Sequence, residues 1–266
     1  MIDLSWLESE GVLAENGKHW SQLHESGKRF FNHHHLNSFI DLGKDVWHET
    51  RQVLQLIFGI ENKAKYESKI LEHAAFAANE VELHMPVFIR DYTDFYSSKN
   101  HAMNMGIMFR GKDNALMPNW VHIPIGYHGR ASSVVITGTE IIRPKGQVSA
   151  DKVNPTWSKC NRMDYEVEMG LIVGKTNKLG QPVKITEAHD HIFGLCVVND
   201  WSARDMQVWE YQPLGPFNAK NFATTISPWI VTMEALEPFK VPLSAQDPKP
   251  LDYLYEKDLY SYDVKL

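Results

Sequence analysis

Residues 164–174, DYEVEMGLIVG, carry the clearest strand pattern in the chain. Alternation puts Tyr165, Val167 and Met169 on one face and Glu166 and Glu168 on the other, the two carboxylates roughly 7 Å apart by strand geometry. Like charges side by side on a strand repel unless a cation sits between them. On a wet sheet face that cost is small, so the pair alone reads as solvated surface. Residues 194–200, GLCVVND, change the balance. This strand is too apolar for a surface element, so Asp200 at its end lies at the rim of a core, where a buried carboxylate needs a partner. An all-oxygen set without Cys or clustered His points to Mg²⁺ or Ca²⁺ rather than zinc.

Working outward, Thr186 starts a brief helix ending at Gly194, and Ser202 is a plausible cap for a short helix in WSARDMQVWEY. Pro213, Gly215 and Pro216 enforce a loop before TTISPWIV (224–231), another strand. In YSYDVKL, Tyr260, Tyr262, Val264 and Leu266 alternate onto one face, so a strand is starting where the sequence stops. Upstream, SVVITGTEIIR (133–143) reads as a hairpin turning near Gly138, and PNWVHIPIGYHGR (118–130) as loop. VFIRDYT (87–93) reads as a strand or extended entry after a break at Met85-Pro86. Ahead of that break the texture is helical. Phe39, Ile40, Val46, Trp47, Val53, Leu54 and Ile57 share one face of a helix stopped by Gly59, and a second helix over 63–78 buries Tyr66, Ile70, Leu71, Ala74 and Ala75. The run His33-His34-His35 cannot all face one ion and reads as a solvated patch. A domain boundary is expected near residue 85.

Composition sets the class. With 43% hydrophobic residues, eight Trp and twelve Phe, the chain has the means to fill a globular core. A net charge of −6 without any Lys/Arg cluster argues against nucleic acid. The acidic start MIDLSWLESEG lacks signal-peptide character, and no apolar run is long enough to span a membrane. Two cysteines outside any CxxC pattern suggest a reducing compartment, so a cytoplasmic location is expected.

Residues 91–104, DYTDFYSSKNHAMN, gather a carboxylate (Asp94), a phenol (Tyr96), two candidate caps (Ser97, Ser98) and an imidazole (His101). Ser97 or Ser98 caps a helix running to about Phe109 and stopped by Gly111. That puts His101 in the first turn, where the helix dipole favours a neutral ring able to accept a proton.

The strings DYTDFYSS..HA, MFRG, NW.H.P.GYHGRASS, E.E, NDWSARD.Q.WEY.PLGPF..K.F.TTISPW and QDPKP closely resemble the fumarylacetoacetase (fumarylacetoacetate hydrolase) family, from about Ile2 to Leu266 and most densely from Asp91 to Trp229. The resemblance implies an α+β, mostly β fold: a mixed β-roll catalytic domain over 86–266, preceded over 1–85 by a partial SH3-like domain with two helices. It implies one Mg²⁺ or Ca²⁺ in that catalytic domain and a homodimeric enzyme, hydrolysing a carbon–carbon bond of 4-fumarylacetoacetate to fumarate and acetoacetate. Asp94, Glu166, Glu168 and Asp200 would be the metal carboxylates, with Lys220 and Thr224 around the metal. His101 would be the general base, and Tyr96, Arg110, Gln207 and Tyr211 would hold substrate. Arg204, Gln207 and Lys220 would stabilise the oxyanion. Ala223 stands where the family usually has glycine, which predicts a small backbone adjustment beside Thr224. The family's chains extend beyond both ends of this one, so truncation is expected, with the carboxylate partner of His101 in the missing part. Two competing expectations are an acylpyruvase, decarboxylase or isomerase on small oxo-acids, and an inactive fragment.

Overall fold

A computed structural model describes residues 1–265, the side chains of residues 63 and 64 excepted; Leu266, the end of the alternating YSYDVKL stretch, lies outside the described residues. Residues 1–85 are helical. The Asp3 carboxylate accepts the N–H groups of Ser5 and Trp6 and starts α1 (Leu4–Ser9), followed by α2 (Val12–Asn16) and α3 (Lys18–Glu25). The helix expected from Asn37 divides into α4 (Asn37–Ile40) and α5 (Lys44–Phe58), because Gly43 between them takes φ 87°, which ends one helix before the next begins. The second expected helix is shorter, α6 (Lys63–His73), and Leu71 lies on its outer side, 63% exposed, rather than in the core. Among the described residues of 1–85 the only β pairing is a single bridge between Ile2 and Ala75, so this chain has a helical unit where SH3-like strands were expected.

Beyond residue 85 short strands in small sheets alternate with short helices, so this part is mixed rather than mostly β. The strand placed over 87–93 starts only at Thr93: β1 (Thr93–Phe95) pairs antiparallel with β2 (Gly126–His128), which sets Asp94 opposite Tyr127. Between them Ser98, not Ser97, caps α7 (Lys99–Arg110) by accepting His101 N–H, and Gly111 stops it. The hairpin expected at 133–143 does not form. Only β3 (Val134–Ile136) is a strand, Gly138 turns the chain at φ 95°, and β3 finds its partner far along the sequence. A hairpin, β4 (Lys145–Val148) with β5 (Thr156–Lys159), comes next, then the two-residue β6 (Met163–Asp164).

The central sheet is built on β7 (Val167–Val173) and β8 (Ile192–Asp200), antiparallel along their whole length. After β8 come β9 (Ser202–Ala203), paired with β6, then α8 (Arg204–Glu210) and α9 (Asn218–Asn221). TTISPWIV forms two strands on the free edge of β8, β10 (Thr224–Ile226) and β11 (Val231–Thr232), interrupted at Pro228, which has no N–H for the ladder. Parallel pairing of β10 with β3 completes the five-stranded sheet. Further on, α10 (Met233–Leu236) leads to β12 (Lys240–Pro242), which pairs with β13 (Tyr260–Tyr262).

The two parts share one core. Leu7, Leu13, Trp20, Phe39, Val53 and Ile57 form a cluster that also takes in Val87 and Phe193 of β8. The Trp47 ring meets Phe193 edge-on at 5.1 Å and lies so close to Gly174 that a Cβ there would come within 2.5 Å of it.

Candidate metal centre

Glu166 sits immediately before β7. Its N–H donates to Asn199 Oδ1 at 3.3 Å, and its carbonyl accepts the N–H of Asp200 at 3.0 Å, so the β8 end and the β7 start are tied at the same level. Carboxylate oxygens of Glu166, Glu168 and Asp200 lie within 4.8 Å of one another. Asp200 is buried, and Glu166 and Glu168 are half-buried. The sequence-predicted trio is therefore brought together in space. Asp94, half-buried in the centre of β1, joins the same field: its charge pushes up the carboxyls of Glu168 and Asp200.

Lys220 threads between the carboxylates. Its Nζ lies 2.7 Å from Asp200 Oδ2 and 2.8 Å from Glu166 Oε1, with the side chain 6% exposed. It is delivered by α9, whose start is pinned by Glu210 Oε1 accepting the N–H groups of Phe217 (2.9 Å) and Ala219 (2.6 Å). Arg204 opens α8 and divides its guanidinium three ways: Nε to Asp164 Oδ2 at 2.9 Å, Nη1 to Gln207 Oε1 at 3.0 Å, and Nη2 to Glu166 Oε1 at 2.5 Å.

These neighbours split the carboxylates electrostatically. Burial would raise Glu166, but Lys220, Arg204 and the Ser202 hydroxyl hold its carboxyl below the ordinary value. Glu168 has no such donors among the described residues. Burial and the charges of Asp94, Asp200 and Glu166 push it up to about 8. Asp200 rises to about 6, burial outweighing the pull of Lys220. Lys220 keeps its proton: burial works against the charge, but Asp200 and Glu166 together raise its pKa. A protonated ammonium has no lone pair to offer a metal, so Lys220 serves as a bridging countercharge.

The donor set fits a hard divalent cation. Oxygens converge from two strand positions and the residue just before β7, none is sulfur or imidazole, and burial with the neighbouring negative charges raises Glu168. Thr224 is buried and pairs in register with Asp200 across β10 and β8; its Oγ1 is 3.3 Å from the Tyr92 hydroxyl. Tyr92 in turn lies against Gly129, where a Cβ would come within 2.0 Å of the ring. Ala223, buried beside Thr224, does not take a positive φ, so the backbone there makes no demand for glycine.

The remaining candidates surround this centre more loosely. His101 is exposed in the first turn of α7, its ring edge-on to Tyr96 at 5.5 Å between centroids. Tyr96 is half-buried; burial raises its phenol, with Arg110 pulling it down and Glu166 pushing it up. Arg110 turns its fork onto its own loop, Nε to Asn114 O at 3.1 Å and Nη2 to Ala115 O at 2.6 Å. Tyr211 is 44% exposed at the end of α8. A cavity of about 640 Å³ lies elsewhere, against Met206, Trp209 and Glu210 of α8, the face turned away from Arg204 and Gln207 by helical spacing.

Four contributors were not singled out from the sequence. Ser202, read as a helix cap, instead donates its hydroxyl to Glu166 at 2.8 Å, and α8 begins without a side-chain cap. Asp164 anchors Arg204, and only its i, i+2 spacing from Glu166 hinted at a shared face. Tyr127 interacts with Asp94 across β2 and β1, its phenol pushed up by burial first and then by Asp94. Tyr92 reaches Thr224. The last two depend on pairings that no local pattern announces.

Comparison with known proteins gives the same direction. The fumarylacetoacetate (FAA) hydrolase C-terminal family model matches residues 91–247, and the fumarylacetoacetase N-terminal model matches 1–86. Proteins named fumarylacetoacetase are similar to this chain in Dictyostelium discoideum (52% identical over 90% of this chain), Homo sapiens (52% over 89%) and Arabidopsis thaliana (50% over 87%). The matched chain spans 57%, 57% and 56% of the length of these three relatives, respectively. The chain belongs to the fumarylacetoacetate hydrolase family.

Proposed function

We propose that this chain carries the metal centre of an enzyme that hydrolyses a carbon–carbon bond of 4-fumarylacetoacetate to fumarate and acetoacetate, the last step of tyrosine and phenylalanine breakdown. The observation that carries the reading is the convergence of Glu166, Glu168 and Asp200 within 4.8 Å, in a chain about half identical to proteins bearing the fumarylacetoacetase name. Glu166, Glu168, Asp200 and Asp94, with Thr224 beside them, would hold a divalent cation, Mg²⁺ or Ca²⁺, which would supply Lewis-acid polarisation of a substrate carbonyl.

The chain's own residues do the rest. His101, at the start of α7, removes a proton from water, a role worth roughly 10²–10⁴-fold. Arg204, Gln207 and Lys220 form a fixed set of donors for the charge that develops on oxygen. Arg204 already has contacts to Asp164, Gln207 and Glu166, so it is held rather than searching, with N–H groups to spare. Tyr96, Gln207 and Tyr211 orient the substrate. Arg110 receives a substrate carboxylate once it gives up one or both loop carbonyls. The chain reads as two parts meeting near residue 85, the second bearing the chemistry, working as a homodimer in the cytoplasm.

His101→Ala tests the assignment. Turnover of fumarylacetoacetate should be lost while Mn²⁺ binding is kept, and unchanged turnover would remove His101 from the mechanism. The engaged fork of Arg110 is the one observation favouring a smaller oxo-acid substrate, and a preference for acylpyruvates in a substrate panel would replace the leading reading.

A further inference from the structure

Three donors converge on one oxygen of Glu166: Ser202 Oγ at 2.8 Å, Lys220 Nζ at 2.8 Å and Arg204 Nη2 at 2.5 Å, all on Oε1. Lys220 likewise takes a single oxygen of Asp200, Oδ2. Three donors exceed the lone pairs of one carboxylate oxygen, so Oε1 has nothing left to give and Oε2 is the oxygen free for a cation. Of the three, Arg204 and Lys220 have other partners, Asp164 and Gln207 for the first and Asp200 for the second. Among the described residues the hydroxyl of Ser202 has Glu166 alone. Ser202 is fully buried, and β9 holds it in register with Asp164, two residues ahead of Glu166.

We propose that Ser202 is a positioning residue: its hydroxyl fixes the rotation of the Glu166 carboxylate, so that Oε2 faces a divalent cation shared with Glu168 and Asp200. The inference rests on the metal-centre reading but not on the identity of the substrate. Its physical basis is that a donor behind a ligating carboxylate sets the ligand's orientation and basicity, and losing such a donor weakens binding about 10–100-fold. Ser202→Ala removes the donor while Lys220 and Arg204 continue to satisfy Oε1, so no buried acceptor is orphaned and the fold is kept.

Isothermal titration of the EDTA-treated chain with Mn²⁺ tests this. Ser202→Ala should raise the Kd by about 10-fold, with a melting temperature in EDTA close to that of the parent. Ser202→Thr, which keeps the hydroxyl, should stay close to the parent Kd. An unchanged Kd in Ser202→Ala, or an equal loss in folded Ser202→Thr, overturns the proposal. If Ser202→Ala does not fold, the near-isosteric pair Ser202→Thr and Ser202→Val, with and without the hydroxyl, takes its place, and equal Kd values for the two overturn it. A parent chain that binds no Mn²⁺ overturns the metal centre itself. Binding without fumarylacetoacetate turnover leaves this inference standing and removes only the substrate assignment.

Discussion

The molecule treats carboxylates in two opposite ways. In the helical part, Glu49 accepts the N–H groups of His19 and Trp20, each at 3.1 Å, and Glu8 accepts those of Phe30 and Phe31 at 2.8 and 3.1 Å. Burial would raise Glu49, yet the two backbone donors and His19 hold it below its ordinary value. In the sheet part, Glu168 has no donor among the described residues, and three other carboxylates press on it. Each helical carboxylate completes a backbone that would otherwise have orphan N–H groups. The strand carboxylates are gathered at a cost that Lys220 and Arg204 offset for Glu166, and Lys220 only partly for Asp200 and Glu168. Burial alone does not separate a structural acid from a functional one. The donors around it do.

Breaking the one charge that links the strand carboxylates should have the largest effect. Lys220→Met leaves Asp200 buried without its cation and Glu166 with Arg204 as its only cation, and should cost about 3–5 kcal/mol, read from denaturant unfolding in EDTA. Saturating Mg²⁺ or Mn²⁺ should act in the opposite sense. At a hundred times the Kd, the melting shift should correspond to about 2.7 kcal/mol, and Glu168→Gln should abolish most of that shift. Glu49→Ala should cost a comparable or smaller amount, about 1–3 kcal/mol, by orphaning two backbone donors. It should leave Mn²⁺ affinity unchanged, and a changed affinity would erase the contrast between the two regions.

The pH dependence gives the sharpest test. Glu168 folds with its pKa raised to about 8, so the folded state holds a proton that the unfolded state releases above the ordinary carboxylate range. Stability of the metal-free chain should therefore fall as pH rises from about 4.5 to 8. A bound cation should flatten that slope, and so should Glu168→Gln. A metal-free chain that gains stability over the same window would show that Glu168 is not crowded by its neighbours.

What the sequence made legible follows the range of the interactions involved. Glu166, Glu168 and Asp200 were found because alternation and an apolar run are local signals, and the β7–β8 pairing then brings them to one place. Ser98 and Gly111 delimit α7 through contacts within a few residues. Val134–Ile136 misled the reading because β3 pairs with β10, so Gly138 makes a turn without a hairpin. Ser202 precedes a helix, as a cap would, but its hydroxyl answers to Glu166 on another strand. The helical unit hid its β deficit for a similar reason: short apolar groups in residues 1–20 fit α1 to α3 only once Asp3 supplies the cap and Trp20 finds Phe31 and Phe39.

The contact of Trp47 with Gly174 and Phe193 has a mechanical consequence. Because the indole occupies the space where a side chain on Gly174 would sit, the helices act as a keel locked into the sheet, not as a tethered lobe. Cutting the exposed connection at 77–84 should leave two fragments that travel together, because Trp47 of α5 packs on Phe193 of the strand that ends at Asp200.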